Sequence, residues 1–338
     1  MRKLKFIMLF CLFSSMLFAA QKSTKTIKNE YDLKFNPNKY VSKETEFNGQ
    51  KIKYRAYENI VYVKNPVDKD YQNMNIYIPE EYFNNSSIGS YNSNNAPIFF
   101  PNTVGGYMPG KADTVGLGRD GKANSLTYAL SKGYVVAAPS VRGRTLTDSK
   151  GNYIGKAPAA IVDLKAAVRY LYLNDEVMPG DANKIISNGT SAGGALSALL
   201  GATGNSSDYL PYLKEIGAAE TRDDIFAVSA YCPITNLENA DSAYEWMYNG
   251  VNSYSRMEFT RNTSAQEYND RSLTRSTVQG NLTEDEIKIS NKLKSLFPFY
   301  LNSLKLTDDA GNSLTLDKNG NGSFKTYLSI IIRNSANK

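Results

Sequence analysis

The chain has 338 residues, of which 41% are apolar and 21% are charged, and its formal net charge at pH 7 is +6. This composition predicts a folded protein with a substantial core and excludes a disordered chain. The positive charge is modest and dispersed, so it forms no basic patch of the kind that binds nucleic acid.

The first twenty residues have the pattern of a secretory signal peptide. Three basic residues precede a short apolar run from Phe6 to Ala20, and small residues at its end favour cleavage near Ala19 or Ala20. The run is shorter than the roughly 20 residues of a membrane-spanning helix. We therefore expect an exported protein, secreted or periplasmic, with no stable membrane insertion after cleavage.

A polar leader, 21–50, is expected to precede an α/β core over 51–234. The early strands of this core have alternating β-branched and aromatic residues, which predicts one solvated face, and the later strands are continuous apolar runs. The expected elements are, in chain order, strands over 51–65 and 73–79, a buried strand over 96–101, a helix over 124–132 and a buried strand over 134–139.

The second half of the core alternates helices and strands. The clearest helix spans 157–175, where apolar residues recur at helical spacing. A strand over 184–187, a helix after Ser191 and a strand over 225–233 follow it. This alternation predicts a mostly parallel sheet with helices on both faces.

The pattern changes at residue 235. A strongly polar stretch leads to a helical segment over 287–306, and Pro298 should kink or divide that helix. No further apolar run of the parallel-strand type follows. We predict that 235–338 is a mostly helical cap inserted into the core, and that it is incomplete in this chain.

A serine lies at the centre of the pattern Gly189-Thr190-Ser191-Ala192-Gly193. This is the pattern of a nucleophile elbow, a sharp turn from a strand to a helix that exposes the serine hydroxyl. The glycines two residues to either side leave room for the strand and the helix to approach each other. The apolar strand before the motif and the small residues after it fit the same geometry.

Two backbone amides are candidates for an oxyanion hole. The N–H of Ala192 would point at the oxyanion that forms when Ser191 attacks an ester carbonyl. A second N–H is expected from the loop "FPNTVGGY", where Gly105, with Gly106 as the near alternative, lets the backbone approach a substrate.

Other candidate sites are weaker. Arg142 and Arg144 follow a predicted strand and either hold an acidic group or brace loops. The segment "DKNGNG" resembles half of a calcium loop, but Leu328 stands where a glutamate is required, so a polar turn is the better interpretation. We expect no metal site and no cofactor.

Cys232 is the only cysteine beyond the predicted signal peptide. An intramolecular disulfide is therefore excluded in the exported form. The apolar neighbours in "FAVSAYCPI" predict a small buried side chain rather than a reactive thiol.

Long ordered motifs resemble bacterial tannases, which are α/β hydrolases that cleave galloyl esters. The resemblance runs from about Lys51 to the end of the chain, and its motifs are "FPNTVGGYMPGKAD", "VRGRTLTDSKGNYIGKAPAAIVDLKAAVRY", "MPGDANKIISNGTSAGGALSALLGATGNSS", "DDIFAVSAYCPITNLENADSAYEW" and "LNSLKL". It implies an α/β-hydrolase fold, a Ser191 nucleophile, an oxyanion hole of Gly105 and Ala192, and a small phenolic ester as substrate. It implies nothing about the oligomeric state.

The chain contains no histidine. A serine nucleophile needs a general base, which in acyl transfer is a histidine oriented by a carboxylate. In the family, the triad acid and the histidine follow the cap, as do the residues that bind the galloyl hydroxyls. We therefore expect this chain to be the N-terminal part of such an enzyme, prone to aggregation and inactive by itself. The alternatives are a related feruloyl or other carboxylesterase and a non-catalytic remnant.

Overall fold

A computed structural model of the chain describes residues 31–118, 120–260 and 274–337. The predicted signal peptide lies outside these residues. The strands are β1 (Val41–Phe47), β2 (Gln50–Val61), β3 (Asn73–Pro79), β4 (Pro97–Pro101), β5 (Val135–Pro139), β6 (Asp181–Thr190), β7 (Ala227–Tyr231), β8 (Ser253–Thr260) and β9 (Thr274–Asn281). The α-helices are α1 (Ser125–Ser131), α2 (Ala159–Leu173), α3 (Ala192–Ala202), α4 (Leu210–Glu215), α5 (Leu237–Tyr248), α6 (Glu284–Ser303) and α7 (Ser323–Ala336).

Seven strands form one mixed sheet in the order β1-β2-β3-β5-β4-β6-β7. The pairs along β5-β4-β6-β7 are parallel, and the pairs along β1-β2-β3-β5 are antiparallel. The predicted parallel alternation thus describes the second half of the sheet, and a meander of antiparallel strands precedes it. The carboxyl ends of β4, β5, β6 and β7 meet at one edge, where open α/β sheets place their ligands.

Helices cover both faces of the sheet, as predicted. On one face, α2 and α3 pack into the main core with apolar residues of β3, β4 and β6. On the other face, α1 contributes Leu126 and Leu130 to a second core against β2, β3 and β5. The side chain of Asn124 caps α1 by accepting a 3.0 Å hydrogen bond from the N–H of Thr127, which fixes where this helix begins.

The early strands differ from one another in burial. Alternate residues of β2 are solvated, as its pattern predicts, but every residue of β3 is buried. The prediction of a solvated face for 73–79 was wrong because β3 lies inside the sheet, between β2 and β5, with cores on both faces. The polar leader also contains structure: β1 is the edge strand, and Leu33 and Phe35 are buried in the main core.

The long helix α2 buries charge as well as apolar surface. Lys165 and Asp223 are both fully buried and lie 2.8 Å apart, and Arg169 contacts the other oxygen of Asp223 at 2.7 Å. Asp223 lies shortly before β7. This buried triad therefore fastens α2 to the segment that leads into the last strand of the sheet.

The region after β7 contains α5, α6 and α7 and a small core of its own. Phe297, Leu301 and Leu316 are buried there, and Trp246 stacks on Phe297 with ring centroids 4.9 Å apart. The helix α6 continues through Pro298 without being divided there. The antiparallel hairpin of β8 and β9, which the sequence pattern did not predict, lies between α5 and α6.

No helix within the described residues is both long enough and apolar enough to cross a membrane.

Candidate active site

Ser191 lies at the junction of β6 and α3, in a backbone conformation that L residues rarely adopt. Its φ is 59° and its ψ is −122°. The N–H of Ser191 donates a 2.9 Å hydrogen bond to the carbonyl of Tyr231 at the end of β7, which holds the turn in place. Strain of this kind persists only when the surroundings determine it, and it is common at catalytic residues.

The glycines that flank Ser191 are required by close backbone contacts. A Cβ on Gly189 would collide with the carbonyl of Gly193, and a Cβ on Gly193 would lie 2.6 Å from Oδ1 of Asn102 and 2.8 Å from the carbonyl oxygen of Val104. The strand and the helix can therefore meet at this angle only without side chains at both positions. The same steric requirement was predicted from the glycines of the motif.

Asn102, at the end of β4, joins three parts of the site. Its Nδ2 donates to the carbonyl oxygens of Asn188 and Gly193 at 3.1 and 3.2 Å and to Oγ of Ser197 at 3.0 Å. Its Oδ1 accepts from the N–H of Val104 at 3.3 Å. One side chain thus fastens the loop after β4 to the strand and the helix on either side of Ser191, and the sequence patterns did not single it out.

A backbone hydrogen bond joins α3 to the loop after β4, and the two amides expected to form the oxyanion hole belong to residues adjacent to this bond. The N–H of Gly193 donates to the carbonyl of Val104 at 3.0 Å. Ala192 precedes Gly193, and Gly105 follows Val104. Both residues are buried, and neither backbone N–H donates to an acceptor in the described part of the chain. A buried N–H without a protein partner is uncommon and is available to a ligand.

Gly106, the near alternative, occupies a different environment. It is exposed and begins a tight turn with Tyr107, in which the two residues have φ values of 57° and 56° and the N–H of Met108 donates to the carbonyl of Gly105 at 3.0 Å. Its carbonyl accepts a 2.7 Å hydrogen bond from Nε of Arg144. The burial of Gly105 favours that residue over Gly106 as the second donor.

Arg142 and Arg144 brace loops, which was one of the two interpretations left open by the sequence. Arg142 is buried and contacts both carboxylate oxygens of Asp163, at 2.8 and 2.9 Å. Burial raises the pKa of the Asp163 carboxyl, while the charge and hydrogen bonds of Arg142 oppose that rise. Arg144 is exposed, and its backbone N–H donates to the carbonyl of Tyr107 at 2.8 Å. Arg144 therefore supports the turn that follows Gly105, and Arg142 fastens the segment after β5 to α2.

A cavity of about 570 Å³ lies beside α3 at the carboxyl edge of the sheet. Ala195, Leu196 and Leu199 of α3 line one wall, and α2, the turn at Tyr107 and the segment after β7 line the others. Ala195 is one helical turn beyond Ser191, and its N–H donates to the carbonyl of Ser191 at 3.0 Å. The lining is mostly apolar, which is typical of a small-molecule site.

Cys232 is exposed, with a φ of 43° in the turn that follows β7. The prediction of a buried side chain was wrong because β7 is an edge strand of the described sheet, so the apolar residues around the cysteine are themselves exposed. Phe226 and Tyr231 are 69% and 58% exposed.

The polar turn predicted at Asp317 is present. The carboxylate of Asp317 accepts hydrogen bonds from the N–H groups of Asn319 and Asn321 at 2.8 and 2.9 Å. Within residues 31–118, 120–260 and 274–337, no group of three or more acidic, cysteine or histidine side chains could hold a metal ion.

Known proteins match both the sequence and the fold of the chain. The family model BD-FAE matches residues 105–277, and none of the curated proteins matches. The crystal structure of Fusobacterium nucleatum tannase is 92% identical with a TM-score of 0.82, over 91% of this chain and 64% of that one. The tannase of Lactobacillus plantarum is 46% identical with a TM-score of 0.76, over 88% of this chain and 62% of that one.

A third related structure is described as tannin acyl hydrolase in complex with ethyl gallate. It is 46% identical with a TM-score of 0.73, over 88% of this chain and 61% of that one. The chain thus spans a little under two thirds of the length of each of these relatives. The expected α/β-hydrolase fold is confirmed, as is the resemblance to tannases.

Proposed function

Because the chain belongs to the BD-FAE family, we propose that it supplies the nucleophile and the oxyanion hole of a secreted ester hydrolase of the tannase type. The substrates of the complete enzyme are galloyl esters and related phenolic esters. The observation that carries the proposal is the strained Ser191, held between two glycines that tolerate no side chain, beside two buried amides that have no acceptor among the described residues.

The proposed reaction is acyl transfer through Ser191. Its Oγ attacks the ester carbonyl carbon, and the carbonyl oxygen becomes an oxyanion that accepts hydrogen bonds from the N–H groups of Ala192 and Gly105. These amides, together with the positive end of α3, stabilise the developing negative charge. The general base takes the proton of the Ser191 hydroxyl and passes it to the alcohol oxygen as the C–O bond breaks, leaving a galloyl ester on Ser191. Water then hydrolyses this ester, releasing gallic acid and restoring the serine hydroxyl.

Ser191 needs a general base to act as a nucleophile. The sequence has no histidine, and the hydroxyl of Ser191 makes no hydrogen bond to another described residue. We place the histidine and its carboxylate partner in the part of the relatives' length that this chain does not span. Losing the base of a serine triad typically costs several orders of magnitude in rate, so we expect no measurable turnover from this chain by itself.

The domain organisation follows from the same proposal. Residues 1–20 act as a signal peptide for export, 51–234 form most of the hydrolase core, and 235–338 form part of a cap over the carboxyl edge of the sheet. The small core around Trp246 and Phe297 supports a separate cap. N-terminal sequencing of the exported protein tests the first assignment, and a mature chain that begins at Met1 would contradict it.

The experiment that tests the function adds the part of a relative that this chain does not span. In a fused enzyme, this chain is followed by the portion of Fusobacterium nucleatum tannase that lies beyond the aligned region. We expect the fused enzyme to hydrolyse methyl gallate, and the Ser191→Ala variant and the chain alone to have no activity. Equal activity on methyl ferulate would favour a broader phenolic esterase, and an inactive but folded fused enzyme would favour a non-catalytic protein.

A further inference from the structure

The apolar cavity beside α3 begins within one helical turn of Ser191 and leads away from it. Ala195 and Leu199 lie four and eight residues after Ser191, so they face the same side of the helix. At a rise of 1.5 Å per residue, they lie about 6 and 12 Å along the axis of α3 from the serine. A group bonded to the reacting carbonyl can therefore extend along this wall.

The mostly apolar lining disfavours a polyhydroxylated ring. Ala157, Pro158 and Ile161 supply hydrocarbon from the side of α2. Two polar side chains at the rim have partners within the protein, since Nδ2 of Asn236 donates to the hydroxyl of Tyr300 at 2.6 Å and Nε of Arg144 donates to the carbonyl of Gly106. The hydroxyls of a galloyl ring would have few partners here, and each unpaired hydroxyl opposes binding.

One aromatic part of the lining contacts a buried charge. Tyr209 lines the cavity, and the ammonium of the fully buried Lys165 lies 4.8 Å from the centre of its ring. Tyr107 lines the end nearest the oxyanion loop, where burial raises the pKa of its phenol. The phenol stays neutral at physiological pH, so the cavity wall carries no negative charge at this end.

From this geometry we propose that the cavity is the leaving-group subsite, which binds the apolar alcohol part of the ester as an extended alkyl chain. The inference rests on the proposed role of Ser191. The tannin acyl hydrolase structure with ethyl gallate shows that a relative binds an ester with a short alkyl alcohol. The volume of about 570 Å³ has room for a much longer chain than ethyl. The galloyl ring then lies on the acyl side of the reacting carbonyl, outside this cavity.

Binding to the full chain tests the subsite without turnover. The probes are the methyl, ethyl, butyl and hexyl esters of gallic acid, measured by isothermal titration calorimetry below their aggregation limits. Burying one methylene is worth about fourfold in affinity. We expect the Kd to fall by roughly 10²-fold from ethyl to hexyl gallate, with one site per chain. Equal affinity along the series, or several equivalent sites, would overturn the proposal.

Leu199→Asn is the informative variant, because Leu199 lines the far end of the cavity and is 38% exposed, so the change is tolerated by the fold. It should lower the affinity for hexyl gallate by about tenfold, which is the contribution of the last one or two methylenes. The affinity for ethyl gallate should stay within about twofold of the parent value. Leu173→Asn is the matched control, because Leu173 is 48% exposed at the end of α2, away from the cavity. This variant should change the affinity for neither ester.

Two further comparisons complete the test. If digallic acid binds more tightly than hexyl gallate and Leu199→Asn weakens it equally, the cavity takes a second phenolic ring and the proposal fails. The Ser191→Ala variant should show the same dependence on alkyl length as the parent chain. A failure of the proposed nucleophile would instead appear as an active Ser191→Ala fused enzyme, so the two failures are distinguishable.

Discussion

The backbone N–H of Gly193 donates a 3.0 Å hydrogen bond to the carbonyl of Val104, and the two amides proposed to bind the oxyanion adjoin that bond. Ala192 is the residue before the donor, and Gly105 is the residue after the acceptor. The separation of the two amides is therefore set by a backbone contact between α3 and the loop after β4. Substitutions that push this contact apart should lower catalysis without touching Ser191.

Gly193→Ala should disrupt this contact directly. The new Cβ would lie 2.6 Å from Oδ1 of Asn102 and 2.8 Å from the carbonyl oxygen of Val104, so the loop after β4 must move. Overpacking of this kind costs about 1–3 kcal/mol. Urea denaturation should show that loss of stability in the full chain. Gly116→Ala is the control because nothing lies within 4 Å of a Cβ there, and an equal loss in both variants would contradict the prediction.

Asn102→Ala should also loosen the contact between α3 and the loop after β4, because it removes a hydrogen-bonding side chain. It removes the side-chain hydrogen bonds to the carbonyls of Asn188 and Gly193 and to the N–H of Val104. We expect the free energy of unfolding to fall by about 1–3 kcal/mol. In the fused enzyme, kcat on methyl gallate should fall more than KM rises. The exposed Asn94 provides the control, and Asn94→Ala should leave both quantities unchanged.

The nucleophile elbow was predictable from the sequence, whereas the hydrogen-bonding role of Asn102 beside it was not. The residues at 189, 191 and 193 fall within five consecutive positions, so a local pattern reveals them, although the groups that exclude a side chain at 193 belong to Asn102 and Val104. The side chain of Asn102 donates hydrogen bonds to residues that are 86 to 95 positions away in the sequence. An asparagine after a strand is also typical of an ordinary loop, so the residue type alone does not reveal this role. Likewise, the burial of β3 depends on which strands flank it, and no alternation within seven residues encodes that.

Asp223→Ala should be among the most destabilising substitutions in the chain. It would leave the buried charges of Lys165 and Arg169 without their carboxylate, which typically costs about 3–5 kcal/mol. The urea midpoint of the full chain measures the effect. The matched control is Asp285→Ala, which breaks an exposed pair with Lys288 and should produce no measurable shift. A small effect of Asp223→Ala would show that the buried triad does not fasten α2 to the approach to β7.

Cys232 should react rapidly with a thiol reagent in the native chain. Its side chain is exposed in the turn after β7, contrary to the expectation from its apolar neighbours. Labelling with 5,5′-dithiobis(2-nitrobenzoic acid) before and after addition of denaturant measures accessibility, and Cys232→Ser identifies the signal. Protection of this thiol until the chain unfolds would contradict the exposed position.

The proposed acyl transfer requires Ser191 to be the nucleophile, and a covalent trap tests this directly. The fused enzyme is treated with a fluorophosphonate, digested and analysed by mass spectrometry. We predict a single phosphonyl adduct on Ser191, with loss of gallate ester hydrolysis in proportion to labelling and no adduct at this position in Ser191→Ala. An active fused enzyme that carries its adduct on a different residue, or that keeps its activity in Ser191→Ala, would contradict the account.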